Sequence, residues 1–175
     1  MRIPSAIITG VTLVVMLTSC GSGGDSDAPT GPNRPPPKVA SLGPFVGECG
    51  HVTDDEVRDL AGLGQIARVN KNATGCNWQS AGLSSPSVTF ASYRGSPIER
   101  EKAWVSSVGR EPETIDVGGR SGFMALDPQG TVCDLAVQLD DDFFEWSMTT
   151  GLFATGGNPC DRTRKLAELT VGRLR

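Results

Sequence analysis

Four cysteines that follow residue 45 constrain the fold of this chain more than any other feature. They are Cys49, Cys76, Cys133 and Cys160, and an even number of cysteines in an exported chain indicates two disulfides. Four cysteines allow three pairings. We favour Cys49–Cys76 and Cys133–Cys160, because each pair then spans 27 residues and joins a helix end to a nearby strand. Each bridge would contribute about 3.5 kcal/mol in the chain-entropy description. A zinc or redox site is disfavoured, because no CxxC spacing or histidine partner accompanies the cysteines.

The fifth cysteine, Cys20, follows an N-terminal segment that indicates export. Residues 3–17 are almost entirely apolar and carry no charge. As a helix they would span roughly 22 Å, which is short of the ~30 Å hydrocarbon core of a membrane. A signal peptide therefore fits better than a transmembrane helix. The segment ends in Leu-Thr-Ser-Cys-Gly, with Leu17 three positions before Cys20, and this resembles the bacterial lipobox.

The lipobox resemblance implies that Cys20 receives a diacylglycerol thioether and that a signal peptide of residues 1–19 is then removed. Two or three acyl chains, palmitate among them, hold a protein on a membrane firmly, whereas one chain holds it only marginally. We therefore expect the protein on the outer face of the plasma membrane, in the cell envelope. The alternative is an ordinary secretory signal with a chance cysteine.

Residues 20–44 form the lipidated cysteine and a tether, and residues 45–175 form a single folded domain. Gly, Pro and Ser make up 14 of the 24 residues between 21 and 44, so this stretch cannot bury enough apolar surface to fold. Its polyproline end is stiffer than its Gly/Ser-rich beginning. The composition of the tether indicates a spacer between membrane and domain. The alternative is a docking site in which its proline motif binds a partner.

Composition excludes several classes of function. The formal net charge is −4 and the Arg and Lys residues are scattered, so no basic face for nucleic acid is expected. His51 is the single histidine, which excludes a poly-histidine metal centre. We expect no cofactor and no metal.

Cap motifs predict three helices. Thr53 to Glu56 form a capping box before Val57, Leu60 and Ala61. A second box, Ser-Pro-Ile-Glu at 96–99, opens a helix that turns Ile98, Val105 and Val108 inward and stops at Gly109. Asn158 and Pro159 open the third helix, which buries Leu166, Leu169 and Leu174.

Aromatic and β-branched residues predict five strands, at 75–79, 87–92, 122–126, 132–139 and 143–149. The last two alternate apolar and polar residues across the turn at 140–142, which is typical of a hairpin. The predicted fold is therefore α+β: a mostly antiparallel sheet flanked by about three helices, with two disulfides.

Several short motifs resemble the lipoproteins of a domain-of-unknown-function family in actinobacteria. They span the whole folded domain, and the family resemblance implies a secreted, lipid-anchored and disulfide-bonded protein with no established activity, catalytic residue or ligand. The motifs are Gly-Pro-Phe at 43–45 leading to Cys49, Gly-Cys-Asn-Trp at 75–78, Tyr-Arg-Gly-Ser-Pro-Ile at 93–98, Ser-Gly-Phe at 121–123, Asp-Asp-Phe at 141–143, Glu-Trp-Ser at 145–147 and Pro-Cys at 159–160.

Tyr93 and Arg94 are the candidate ligand-binding residues. They sit in a polar loop before a predicted helix N-terminus, a place that can hold an anion. Trp78, Trp104, Trp146 and Tyr93 could instead line an apolar ligand pocket, although a tryptophan beside a disulfide more often packs in a core.

His51 and the aspartate turn at 140–142 are weaker candidates for a functional site. His51 could serve a nucleophilic triad, but no G-x-S-x-G elbow is present, and a polar loop histidine is the plainer interpretation. The three aspartates at 140–142 could bind calcium, but successive residues of a tight turn point in different directions, which favours a solvated turn.

The sequence favours a non-enzymatic, membrane-tethered module that binds an envelope protein or a cell-wall component. The alternative is an extracytoplasmic carrier of a lipid or small molecule, which would need a closed apolar cavity between sheet and helix. An enzyme ranks third, because no complete catalytic set can be assembled.

Overall fold

The computed structural model describes residues 39–82, 85–151 and 157–174. The predicted signal peptide, Cys20 and most of the tether lie outside the described residues. Within them, seven antiparallel strands form one sheet in the order β1-β2-β3-β7-β6-β5-β4. The strands are β1 (Ile66–Asn72), β2 (Gly75–Ser80), β3 (Ser87–Tyr93), β4 (Glu111–Val117), β5 (Arg120–Leu126), β6 (Val132–Leu139) and β7 (Asp142–Thr149). The helices are α1 (Asp54–Ala61), α2 (Ile98–Ser107) and α3 (Pro159–Gly172), after a 3-10 turn at Glu48–His51.

The α+β class, the three helices and the 132–149 hairpin are confirmed. β6 pairs with β7 from Val132↔Thr149 to Leu139↔Asp142, around a two-residue turn. Thr53 and Glu56 form the predicted capping box at the start of α1. Asn158 caps α3, where its Oδ1 accepts a hydrogen bond of 2.9 Å from the Cys160 amide.

The prediction of a second capping box, at residues 96–99, is wrong. Pro97 is the N-cap of α2, and no side chain caps this helix. Ser96 Oγ is buried without a hydrogen-bond partner among the described residues. Val108, expected inside, is 49% exposed, because the chain leaves the helix there and turns at Gly109, whose φ is 81°.

Two strands were not predicted from the sequence, and both are edge strands. β1 exposes almost every residue, and β4 buries only Val117 fully. Neither strand shows the alternation of apolar and polar residues that marks a half-buried strand, because each packs little against a core.

The main core lies between the sheet and the helices α1 and α3. Trp78 and Trp146 stack at 5.8 Å between ring centroids, and Phe90 lies 5.0 Å from Trp146. α3 contributes Leu166 and Ala167, both fully buried. Leu169 and Leu174, expected on the buried side of α3, are partly buried and pack against this core.

Both favoured disulfides are confirmed. Cys49–Cys76 joins the 3-10 turn to β2, with 5.4 Å between the Cα atoms. Cys133–Cys160 joins β6 to the first turn of α3, with 5.3 Å between the Cα atoms. The two bridges therefore fix the 3-10 turn and α3 to different strands of the sheet.

Residues just before position 45 already pair with the β6–β7 turn. Ser41 donates its amide to Asp141 Oδ2 at 2.6 Å, and Leu42 forms a β-bridge with Asp140. The packed structure thus includes the last few residues of the predicted tether. Along the described ranges, no helix combines the length and apolar character needed to cross a membrane.

Candidate functional site

The two faces of the sheet are covered to different extents. α1 and α3 pack across one face, over the main core. On the other face α2 covers only part of the sheet, where its Ile98 and Val105 join a small second core. That core is completed by four residues of the strands, Phe123, Ala125, Ala136 and Phe143. The rest of this face, along β3, β7 and the start of β6, is open beside α2.

This open region forms a cavity of about 570 Å³, which we call the acidic cavity. Its charged residues are Glu101 from α2, Arg110 from the loop after α2, Asp134 from β6 and Glu145 from β7. The rest of the lining is mostly polar or aromatic: Thr89, Tyr93, Trp104, Val132, Ser147 and Thr149.

Glu145 is the most unusual residue of the acidic cavity. It is only 6% exposed, and Ala91 on β3 and Ala136 on β6 flank it across the strands. The sole hydrogen bond of its side chain within the described ranges is a long one, from the Tyr93 hydroxyl to Oε2 at 3.5 Å. Burial, and then the negative charges of Asp134 and Glu101, raise the pKa of Glu145 to about 8. A carboxyl with a strongly raised pKa in a cavity is a candidate functional group.

Asp134, by contrast, has its partners within the protein. It is 2% exposed, accepts a hydrogen bond of 2.6 Å from Ser147 Oγ, and forms an ion pair with Arg110. Burial raises its pKa, against the opposing effects of Ser147 and Arg110. The Arg110 guanidinium also lies 5.1 Å from the centre of the Trp104 ring. Arg110 therefore forms its ion pair with Asp134 and acts on Glu145 only through its more distant charge.

Tyr93 and Arg94, the predicted ligand-binding pair, have different surroundings. The Tyr93 ring stacks on Phe143 at 4.3 Å, and its hydroxyl faces Glu145 in the acidic cavity. Burial, and then the charge of Glu145, raise its pKa to about 12. Arg94 instead forms an ion pair of 3.0 Å with Asp142, which is 2% exposed.

The place where an anion was expected is occupied by a carboxylate of the protein. Asp142 accepts hydrogen bonds from the amides of Gly95 at 2.6 Å and Gly43 at 3.1 Å, in addition to the ion pair with Arg94. These contacts hold together the segment around Gly43, the loop before α2 and the start of β7. Tyr93 and Arg94 also border a shallow groove that continues to Arg100.

The four predicted aromatic residues are divided between the two faces. Trp78 and Trp146 stack in the main core, where their indole nitrogens donate to Asp54 at 2.8 Å and Thr170 at 3.1 Å. Trp104 is 50% exposed and, with Tyr93, lines the acidic cavity on the other face.

His51 and the aspartate turn have separate environments. Within the described part of the chain, the only hydrogen-bond partner of the His51 ring is the Phe45 carbonyl, at 3.3 Å. Asp141 and Asp142 accept hydrogen bonds from different parts of the chain, so the turn does not point its carboxylates at one centre. No cluster of three or more candidate metal ligands is found in the described ranges.

Sequence reasoning missed Glu145, Asp134, Glu101 and Arg110. The strand alternation that places Phe144 and Trp146 in the main core puts Glu145 on the opposite face of the sheet. A polar residue on that face is predicted from the sequence to be exposed to solvent. What marks it is the burial caused by α2, and α2 is separated from β7 by more than thirty residues of sequence.

Comparisons with known proteins place the chain in a family. A family model described as "Protein of unknown function (DUF3558)" matches residues 15–173. Proteins named "Putative lipoprotein LprB" from Mycobacterium bovis and Mycobacterium tuberculosis are each 31% identical over 176 residues, which cover 97% of this chain and 95% of the relative. The protein of that name from Mycobacterium leprae is 28% identical over 149 residues, or 82% of this chain and 79% of the relative. No solved structure matches.

The motif resemblance is confirmed by these comparisons. Among actinobacterial lipoproteins the motifs favour LprB, and the likeness to LprB extends over nearly the whole chain. The names of these relatives describe lipoproteins and specify no ligand or reaction.

Proposed function

The chain belongs to the DUF3558 family of proteins of unknown function, and on that basis we propose that it is a lipid-anchored, non-catalytic binding module of the cell envelope. A lipid on Cys20 anchors it, and the residues between Cys20 and the packed segment that begins near Ser41 act as a spacer. The ligand, an envelope protein or a cell-wall component, docks at the acidic cavity. The lipoprotein names of the relatives support the anchor.

One observation carries the choice of site. Glu145 lines the acidic cavity, is 6% exposed and lacks an ion pair within the described ranges. Burying an ionised carboxylate without a partner is unfavourable, so Glu145 keeps its proton up to about pH 8, and a cationic ligand would stabilise its ionised form by supplying the partner. The remaining lining offers hydroxyl groups and aromatic surface for contact, from Thr89, Thr149 and Trp104.

The contacts of the other polar groups support binding rather than catalysis. Ser147 Oγ is held by Asp134, and Asp134 by Arg110, so this hydroxyl has a carboxylate partner and no histidine. His51 contacts the Phe45 carbonyl near the C-terminal end of α3, at the other face of the sheet. A nucleophile and a base within reach of each other are the usual signature of covalent catalysis, and these residues lie apart.

Packing also favours a binding module over a carrier. A carrier that holds its cargo between sheet and helix needs an enclosed apolar space there. In this domain that layer contains the stacked Trp78 and Trp146 rings together with Phe90 and Leu166, all at most 1% exposed.

Site-specific photo-crosslinking in an actinobacterial host tests this function. A photoreactive residue at Thr149, exposed at the rim of the acidic cavity, should give a reproducible adduct. The matched control is Glu168, which is exposed on α3 at the other face. The adduct should be absent from position 168 and should disappear when Glu145→Gln is added. Identical adducts from both positions, or none from position 149, would contradict the proposal.

A further inference from the structure

We propose that the acidic cavity takes a primary ammonium group on an unbranched alkyl stem, as presented by a lysine side chain of a partner protein. This inference rests on the proposed function, because it names the chemistry of the ligand for the same site. It follows from the charge of the cavity, from the burial of Glu145 and from the nature of the cavity walls.

The charges of the acidic cavity are unbalanced. Three carboxyl groups, on Glu101, Asp134 and Glu145, face one guanidinium, on Arg110. Arg110 is committed to Asp134 by an ion pair. Glu101 and Glu145 form no ion pair within the described part of the chain, and Arg110 lowers their pKa values only through its more distant charge, so an incoming cation meets two carboxyl groups without a direct cationic partner there. Solvent screens the attraction between buried charges less than that between surface charges, and the cost of taking the ammonium out of water offsets part of this gain.

The burial of Glu145 favours a long, thin cation. Glu145 is 6% exposed, and its strand neighbours Ala91 and Ala136 are small. A compact ammonium on a flexible stem of methylene groups can approach a buried carboxyl more easily than a bulky cation can. An amine attached directly to a sugar ring has no stem and must bring the ring equally close to Glu145.

The walls of the cavity suit an alkyl stem. Trp104, which is 50% exposed, and Val132 border the opening. The Tyr93 ring, fixed by its stacking on Phe143, forms a further wall. Long cationic side chains bury their methylene groups along apolar surface of this kind while the charged end finds a polar partner.

Binding of an ammonium should depend on pH through Glu145. The groups around Glu145 are Tyr93 on β3, Asp134 on β6, Glu101 on α2 and Arg110 beyond α2. Burial, and then the charges of Asp134 and Glu101, raise its pKa to about 8, against the opposing effects of Tyr93 and Arg110. The ammonium pairs with the ionised carboxylate, so binding releases the proton and affinity rises with pH up to that value. Between about pH 6 and about pH 9 the ionised fraction rises about 100-fold, while an alkyl ammonium of pKa ~10.4 keeps its charge. A neutral ligand that accepted a hydrogen bond from the protonated carboxyl would show the opposite dependence.

Calorimetric titration of the full chain, purified in a neutral detergent, tests the inference. The probe is Nα-acetyl-lysine methylamide, with glucosamine as the sugar amine and butyrate as the anion. The lysine probe should bind with an affinity that rises about 100-fold from about pH 6 to about pH 9, and more tightly than glucosamine or butyrate. The variant Glu145→Gln should lose most of the affinity and its pH dependence. The matched control, Glu113→Gln, removes an exposed carboxylate of β4 and should bind as the wild type does.

Several results would overturn the inference. They are an affinity for the lysine probe that falls as the pH rises, tighter binding of glucosamine or butyrate, or unchanged binding by Glu145→Gln. The pH dependence is measured on the wild-type chain, so this part of the test does not depend on how well the variant folds. If the lysine probe fails while the crosslinks from position 149 persist, the ligand class is wrong and the binding site stands. If the crosslinks fail as well, the proposed function fails with it.

Discussion

Replacing Glu145 with glutamine should make the domain more stable at alkaline pH. In the folded protein the pKa of Glu145 is raised to about 8, against an ordinary value of 4.5. The folded state therefore keeps a proton that the unfolded chain releases between these two values. Where the folded state binds more protons, the free energy of unfolding falls as the pH rises. The loss begins above the unfolded value of 4.5 and is complete above about pH 8.

The size of the effect follows from the two pKa values. Each unit of difference corresponds to about 1.4 kcal/mol, so ionisation of Glu145 lowers the free energy of unfolding by about 5 kcal/mol in total. Between about pH 5.5 and about pH 8.5 the loss is about 3 kcal/mol. Glu145 is 6% exposed, so solvent does little to reduce this value. Glutamine has the same shape and no charge, and the variant should escape the loss.

Urea unfolding followed by tryptophan fluorescence, with both disulfides intact, measures this directly. Near pH 5.5 Glu145→Gln should be more stable than the wild type by only about 1 kcal/mol, and near pH 8.5 by about 4 to 5 kcal/mol, so the difference grows by about 3 kcal/mol between the two pH values. Glu113→Gln, on the exposed surface of β4, should keep the wild-type loss. If Glu145→Gln shows the same fall in stability as the wild type, Glu145 does not titrate in this range and the reasoning is refuted.

Three further predictions concern the bridges, the helix ends and the anchor. The double variant Cys133→Ser/Cys160→Ser opens a loop that spans 27 residues. Chemical denaturation should show that its free energy of unfolding is lower than that of the wild type by about 3.5 kcal/mol. An unchanged denaturation midpoint would contradict the stabilising role of this bridge. The Arg173 guanidinium holds the pKa of Glu56 down at about 2 through hydrogen bonds of 2.6 and 2.9 Å. Arg173→Met should therefore raise the pKa of Glu56 toward 4.5 in a carboxyl NMR titration. A pKa that stays near 2 in this variant would count against the pairing. Cys20→Ala should release the protein from the membrane fraction or stall its processing, and an unchanged fraction and mass would exclude lipidation at this residue.

Much of the fold could be predicted because its signals are local. The capping box before α1, the Asn158 cap of α3 and the alternation along β6 and β7 each act within a few residues. The disulfides followed from cysteine spacing and from the export signal. The edge strands β1 and β4 carried no such signal, because their side chains are mostly exposed and a sheet edge imposes no apolar pattern.

The candidate site could be predicted only in part. Tyr93 stood out in the sequence and does line the acidic cavity. Arg94, its neighbour, pairs with Asp142, a contact between residues that are far apart in the chain. Glu145 and Asp134 look like ordinary polar residues of alternating strands. They are buried because α2 crosses that face of the sheet, and the sequence does not give the position of this crossing.

The most direct test of the account is to find where an alkyl ammonium binds on the protein. Amide chemical shifts of the ¹⁵N-labelled full chain should be followed near pH 8.5 as Nα-acetyl-lysine methylamide is added. The account predicts shift changes around Glu145, Tyr93 and Trp104, and their loss in Glu145→Gln. Changes centred on the groove beside Phe45 and His51, or no changes at all, would contradict it.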